Sequence, residues 1–305
     1  MTFRALLLVD AGNSALKWQL LVRPESELSD AQHAMELVTQ SPVHRQSNAD
    51  VSVEGLLSAW QQAAKQITAE TLGSSQWQIA WCSVGPVAVQ QVVKQTFKRL
   101  TGSDPPPPFQ SQLRADLIGV SCETVLNRYT NPGQLGVDRW VSAIGLAAQG
   151  VTGPNETHMV ISAGTATTVD LMHHESSPDA SATDGHCLSF LGGWILPGIR
   201  LMNSALRSQT RDLDYTVATH GAIQTEIPRD SQTAITQGIG LAQTGFVAGL
   251  IRHHHVTKIW LHGGQAQDWR HFLAELDQDT GPMVTVHEQP SLLFAGLLTL
   301  ARFCR

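Results

Sequence analysis

Leu6-Leu7-Leu8-Val9-Asp10-Ala11-Gly12-Asn13-Ser14-Ala15-Leu16-Lys17-Trp18-Gln19-Leu20 is the stretch from which the fold is read. An apolar run ends in the carboxylate of Asp10, a tight Gly12-Asn13-Ser14 turn follows, and a second run carries Lys17 and Trp18. That order predicts a β-hairpin. The chemistry at its tip is unusual. Gly12 lets the backbone approach a ligand closely. Asn13 and Ser14 offer donors, Lys17 offers a positive charge, and Asp10 offers a carboxylate to a divalent cation. These are the parts that cradle a polyphosphate with its metal. An ordinary hairpin with Asn and Gly in its turn shares some of them.

The pattern recurs. Met159 to Met172 again joins a run of strand formers, a small turn at Gly164, and a second run through Val169, Asp170 and Leu171. Aligned on the glycines, Val9-Asp10-Ala11-Gly12-Asn13-Ser14 faces Ile161-Ser162-Ala163-Gly164-Thr165-Ala166. A second pair also matches: Ile79 to Gly85 resembles Ile259 to Gly264. Two halves of this kind point to an ancient duplication, with two lobes presenting glycine turns to one nucleotide in a cleft.

The 305 residues suit two domains. A hydrophobic content of 42% is enough for real cores, and a net charge of −6 with no basic stripe argues against a nucleic-acid binder. Cys82, Cys122, Cys187 and Cys304 are scattered without CxxC spacing, so neither zinc site nor disulfide framework is expected. No signal segment and no apolar run of membrane-spanning length is read, so a soluble, cytoplasmic protein without a membrane partner is expected.

Along the chain, Leu56, Leu57, Trp60, Ala63, Ala64 and Ile67 mark a helix by their spacing. Trp77 to Val84 reads as a strand, and Pro86 opens a second helix. This alternation argues for an α/β fold. Asn131-Pro132-Gly133 is a turn, after which Asp138 and Arg139 open a helix. Asp138 suits a helix dipole and Arg139 a solvated surface; together they also suit an acid/base carboxylate beside an anion-binding guanidinium. Gly150 to Thr157 is the expected domain boundary. His173 to His186 reads as an exposed hairpin tip, with His173 and His174 in a solvated loop. Leu191 to Gly198 reads as a glycine-dense turn. A helix over Thr233 to Arg252 carries Gly238, Gly240, Gly245 and Gly249, spaced for another backbone to approach.

No G-x-x-x-x-G-K-[ST] loop, G-x-G-x-x-G turn or protein-kinase signature occurs. Asp10-x-Gly12-Asn13-Ser14-x-x-Lys17, Gly136-x-Asp138-Arg139, Gly164-Thr165-Ala166-x-Thr168-x-Asp170 and Gly192-Gly193-x-Ile195-x-Pro197-Gly198 do occur, in that order. Together they resemble type III pantothenate kinase, of the acetate and sugar kinase/actin superfamily, from residue 6 to about residue 300. The resemblance implies an α/β fold of two duplicated ribonuclease-H-like (actin-like ATPase) domains, here 1–152 and 153–305, with a nucleotide cleft between them. It implies phosphorylation of pantothenate by ATP, the first step of coenzyme A biosynthesis.

Carried over by position, Asp10, Ala11, Gly12, Asn13, Ser14, Ala15, Leu16 and Lys17 resemble the ATP phosphate loop, with Asp10 holding Mg²⁺. Thr165 resembles the nucleotide contact of the second hairpin, and Asp138 resembles the catalytic base. Tyr129, Gly136, Val137, Asp138 and Arg139 resemble the pantothenate contacts, with Arg139 on the carboxylate. The resemblance also implies a homodimer with a shared site, in which Ser231, or Thr233 in its place, reaches the neighbouring subunit's substrate. One departure stands out. Many members have an Asp two places before the second turn's glycine, where it holds K⁺ or NH₄⁺; this chain has Ser162. Weak or absent dependence on a monovalent cation is therefore expected. A regulatory homologue and a kinase for another small acid are the rival readings. The retained Asp10, Lys17, Asp138 and Arg139 speak against the first, and the Gly136 to Arg139 loop with Tyr129 against the second.

Overall fold

β1 (Phe3–Ala11) and β2 (Ala15–Pro24) form the expected antiparallel hairpin. The computed structural model describes residues 3–24, 39–117, 123–150, 155–176, 186–210, 215, 226–276 and 284–303. Alternate side chains of the hairpin, among them Leu7, Val9, Leu16, Trp18 and Leu20, enter one core with Leu56, Trp60, Val93 and Phe97. The opposite face is buried as well, at Leu8, Asp10 and Gln19. A sheet covered on both sides explains why β1 reads as a near-continuous apolar run rather than an alternation.

Two short strands, β3 (Thr39–Gln40) and β4 (His44–Ser47), pair with β2. Helix α1 (Val53–Thr68) starts where the Ser52 hydroxyl accepts the Gly55 N–H, and it crosses over to β5 (Trp77–Ser83), parallel to β1. Helix α2 (Val87–Thr101) follows Pro86, as expected.

β6 (Arg114–Leu117) and β7 (Glu123–Asn127) are antiparallel, and α3 (Val137–Ala147) follows them. The second hairpin is β8 (Thr157–Ala163) with β9 (Ala166–Ser176), and β10 (His186–Pro197) pairs with β9. Helices α4 (Ile199–Gln209) and α5 (Ser231–His254) precede β11 (Val256–His262), which runs parallel to β8. Then come α6 (Ala266–Leu276), β12 (Thr285–Glu288) and α7 (Leu292–Phe303). The arrangement β2-β1-β5 of the first sheet reappears as β9-β8-β11 in the second, with the same strand directions. The duplication read from the glycines is therefore present in the topology.

The chain divides into two compact units, residues 1–112, 131–149 and 293–305 in one and 113–130 and 150–292 in the other. This differs from a single division at 152/153. β7 pairs with β10, which draws 113–130 into the second sheet, and the C-terminal helix returns to the first unit.

Other expectations also change. Leu191 to Pro197 is strand, not turn, with a register shift between Phe190 and Gly192. His173 and His174 lie in β9, and His174 is buried. Residues 177–185 of the expected hairpin tip, together with Cys122 and Cys304, lie outside the described residues. Cys82 and Cys187 are buried and form no disulfide. Among the described residues one helix, α5, is long and apolar enough to cross a membrane by length and composition, contrary to the expectation of no such run. Its Ile235, Ile239, Val247 and Ile251 lie in the core of the second unit, the position of a core helix.

Candidate functional site

The end of β1 sets Asp10 opposite Lys17 of β2 and beside Cys82 of β5. Register partners share a face, so the three side chains stand in one row. Asp10 is 3% exposed. Its Oδ2 accepts from Lys17 Nζ at 2.9 Å, whereas Oδ1 is buried without a hydrogen-bond partner among the described residues. An anionic oxygen left in that state is the acceptor a hard cation takes.

Beyond Asp10 the turn closes through Gly12 N–H to Ala15 O at 3.1 Å. The N–H groups of Val84 and Gly85 donate to Ala11 O at 3.1 and 2.8 Å. A Cβ at Gly85 would strike the Gly12 and Ala11 carbonyls, so this approach requires glycine. Asn13 and Ser14 are exposed at the tip. Ala11 and Leu16 point into the core and can offer a ligand only backbone atoms. Asn48, which no sequence pattern singled out, donates Nδ2 to Gly12 O at 2.9 Å and to Asn13 O at 2.8 Å.

Helix α3 starts at Gly136, with Val137 buried beneath it. Asp138 sits in the first turn, where its Oδ1 accepts the Arg139 N–H at 2.9 Å. A Cβ at residue 136 would stand 2.8 Å from that oxygen, so glycine is what lets the carboxylate fold back over the helix start. Arg139 is buried rather than a solvated surface charge. Burial, and then the charge of Asp10, push the Asp138 carboxyl above its ordinary range; the Arg139 N–H, the Arg139 guanidinium and Lys17 pull against them. Burial, with Asp10 and Asp138 adding, also raises the Cys82 thiol well above its usual range, so it packs as a neutral group. The first unit thus brings together a carboxylate able to take a cation, a lysine, and a second carboxylate able to accept a proton more readily than an ordinary one.

The second unit carries the other predicted residues. Thr165 is exposed on its turn, where its carbonyl accepts the Gly198 N–H at 2.9 Å. Gln265 donates its N–H to Ala163 O at 2.9 Å and its Nε2 to Gly164 O at 2.7 Å. Ser162, one residue before the end of β8, pairs with Thr168 of β9 and His262 of β11. The Tyr129 ring lies 5.8 Å from that of Phe190, and its edge lies against Gly192. Ser231 is exposed at the start of α5. The Thr233 hydroxyl is committed to the Asp230 cap at 2.7 Å, which leaves Ser231 the better placed of the two to reach a ligand.

Among the described residues no group of three or more His, Cys, Asp or Glu could hold a metal ion by itself. The protein atom that would hold a cation here is Asp10 Oδ1, and the cation would supply neutralisation of phosphate charge.

A family model described as type III pantothenate kinase matches residues 6–253. A type III pantothenate kinase of Herminiimonas arsenicoxydans is 30% identical over 259 residues, covering 82% of this chain and 80% of the relative. One from Janthinobacterium sp. (strain Marseille) is 31% identical over 242 residues, covering 79% and 77%. Among solved structures, the inorganic polyphosphate/ATP-glucomannokinase of Arthrobacter sp. strain KM aligns over 99% of this chain and 100% of its own, at 9% identity and a TM-score of 0.43.

Proposed function

The chain belongs to the type III pantothenate kinase family, and from that premise we propose how its residues divide the work. The reaction is the ATP-dependent phosphorylation of pantothenate that opens coenzyme A synthesis, and the fold is the two-unit α/β fold of the actin-like and sugar-kinase ATPases. The observation that supports the assignment of roles is the raised basicity of Asp138 beside the Asp10–Lys17 pair.

In this reading the Gly12 turn holds the transferred phosphates and Thr165 contacts the nucleotide. Asp10 Oδ1 holds Mg²⁺, which supplies neutralisation of phosphate charge when bound. Lys17 anchors Asp10 and adds positive charge at the turn. Arg139 and Tyr129 hold pantothenate, the guanidinium taking its carboxylate. Asp138 orients the primary hydroxyl and accepts its proton as the oxygen–phosphorus bond forms and the ADP oxygen leaves. Little covalent help is required, because positioning and charge neutralisation carry most of phosphoryl transfer.

We also propose a homodimer whose partner presents Ser231 to substrate. The α4/α5 face supports this, with an apolar groove lined by Met202, Leu206, Ala234, Ile235 and Ile239, and with Ser231 at its edge. A coupled ATP-consumption assay tests the whole assignment. ADP release should require both pantothenate and Mg²⁺ and should vanish on chelation. Pantothenate-independent turnover, or full activity in Asp10→Asn, would overturn it.

A further inference from the structure

The two glycine turns share a feature that no motif announces. In each, turn carbonyls are held by a primary amide from another element. Asn48, just after β4, donates to Gly12 O and Asn13 O; Gln265, just after β11, donates to Gly164 O. The duplication does not account for this. β4 pairs with β2, the second strand of its hairpin, whereas β11 pairs with β8, the first strand of its own. The same contact has been built twice from unrelated parts of the fold. In both amides the oxygen, Asn48 Oδ1 or Gln265 Oε1, is buried without a partner among the described residues. An unsatisfied acceptor of that kind costs stability, so the donor half of each amide must be what the site requires.

The consequence follows from peptide geometry. All described peptide bonds are trans, and in a planar trans peptide the carbonyl and the following N–H point in opposite directions. Holding the carbonyls of Gly12, Asn13 and Gly164 turns the N–H groups of Asn13, Ser14 and Thr165 away from the clamps. Those three residues are the exposed ones on the two turns. We propose that Asn48 and Gln265 are positioning residues for ATP, amide clamps that each fix the turn of its own unit in the conformation that meets the nucleotide. The inference rests on the reading of both turns as nucleotide sites.

Asn48→Leu and Gln265→Met remove the donors without adding charge. Each is expected to raise the KM for ATP, and the Kd for ADP by titration calorimetry, about tenfold, the worth of roughly one hydrogen bond. The KM for pantothenate should stay within about twofold, a split that a merely structural role would not produce. If a variant does not fold, Asn48→Ser and Gln265→Ser, which shorten the donor out of reach, replace it. Unchanged nucleotide affinity in the folded variants, or equal rises in both KM values, overturns the clamp. Asp10→Asn separates the two levels of failure. If it weakens ATP use while the clamp variants do not, only the clamp is wrong. If it too leaves ATP use unchanged, the reading of the turn as a phosphate site fails.

Discussion

Asp138 meets two opposed demands. In the proposed role it accepts a proton and so must be ionised; buried near Asp10, its ionised form is disfavoured. The folded state therefore raises its pKa, and the sign of the consequence is fixed. Stability from this group is full below the ordinary carboxylate range and is lost as pH rises through the raised value. At neutral pH the folded enzyme carries that cost, so Asp138→Asn should melt no lower than the parent in a thermal scan. The same variant should lose on the order of 10²–10⁴ in kcat. Near-full turnover in it would refute the base assignment. The acid limb of the parent's kcat/KM profile should also lie above the pH of an ordinary carboxylate. Ser162 carries a second prediction. With no carboxylate at that position, turnover should change less than about twofold when K⁺ and NH₄⁺ are replaced by Tris, and collapse of activity would sink it. Asp10, Lys17 and Asp138 were legible in the sequence because charge inside an apolar run, or at a helix start, is conspicuous. Asn48 and Gln265 were not, because they meet their turn carbonyls 36 and 101 residues away in sequence.

The strands β8, β9 and β11 set His158, His174 and Trp260 against one another inside the second sheet. Trp260 Nε1–H donates to His158 Nδ1 at 3.1 Å, and the other ring nitrogen lies 3.1 Å from Glu156, which also accepts from Lys258 at 2.6 Å. This geometry fits the neutral ring with its proton on Nε2; a second proton on Nδ1 would face the indole N–H. Burial first, with His174 and Lys258 adding and Glu156 opposing, lowers the His158 pKa to about 4. Above pH ~6.5 the group is neutral folded or unfolded and contributes nothing. As pH falls from there toward 4 the unfolded chain takes the proton first, and stability drops by up to about 3 kcal/mol. Urea midpoints measured across that window should fall, and His158→Gln, which can still accept from Trp260 and donate to Glu156, should flatten the slope. A parent slope that the variant leaves unaltered would show that other groups set it. Both hairpins were legible from apolar runs broken by glycine. The strand over 191–197 was not, because Gly192 and Gly193 imitate a turn, while pairing with β9 through Asp170 and Leu171 keeps the segment extended. Pairing also holds His173 and His174 in a strand that polar composition suggested was loop.

The duplication was readable in the chain, but the partition into units was not. Strand pairing at β7 and the return of the last helix depend on contacts that no local pattern records. The long helix α5 bears on assembly. Gly240 is buried, but a Cβ at Gly238, Gly245 or Gly249 would meet nothing within 4 Å. Leu201 of α4 and Leu241 of α5 are exposed by 42% and 53%. Small, open backbone beside exposed leucine suits a close helix approach from a second copy of the chain. Gly238→Arg tests this cleanly, because arginine is a better helix former than glycine by roughly 1 kcal/mol, so the helix itself is not weakened. An unpaired charge in the interface should raise the dimer dissociation constant by about 100-fold or more in sedimentation equilibrium. If Ser231 serves the partner's substrate, loss of the dimer should raise the KM for pantothenate about tenfold while ATP affinity holds, since one polar contact is withdrawn from pantothenate alone. A variant that remains dimeric and fully active would move the interface off this face; a fully active monomer would keep the interface and remove Ser231 from the site.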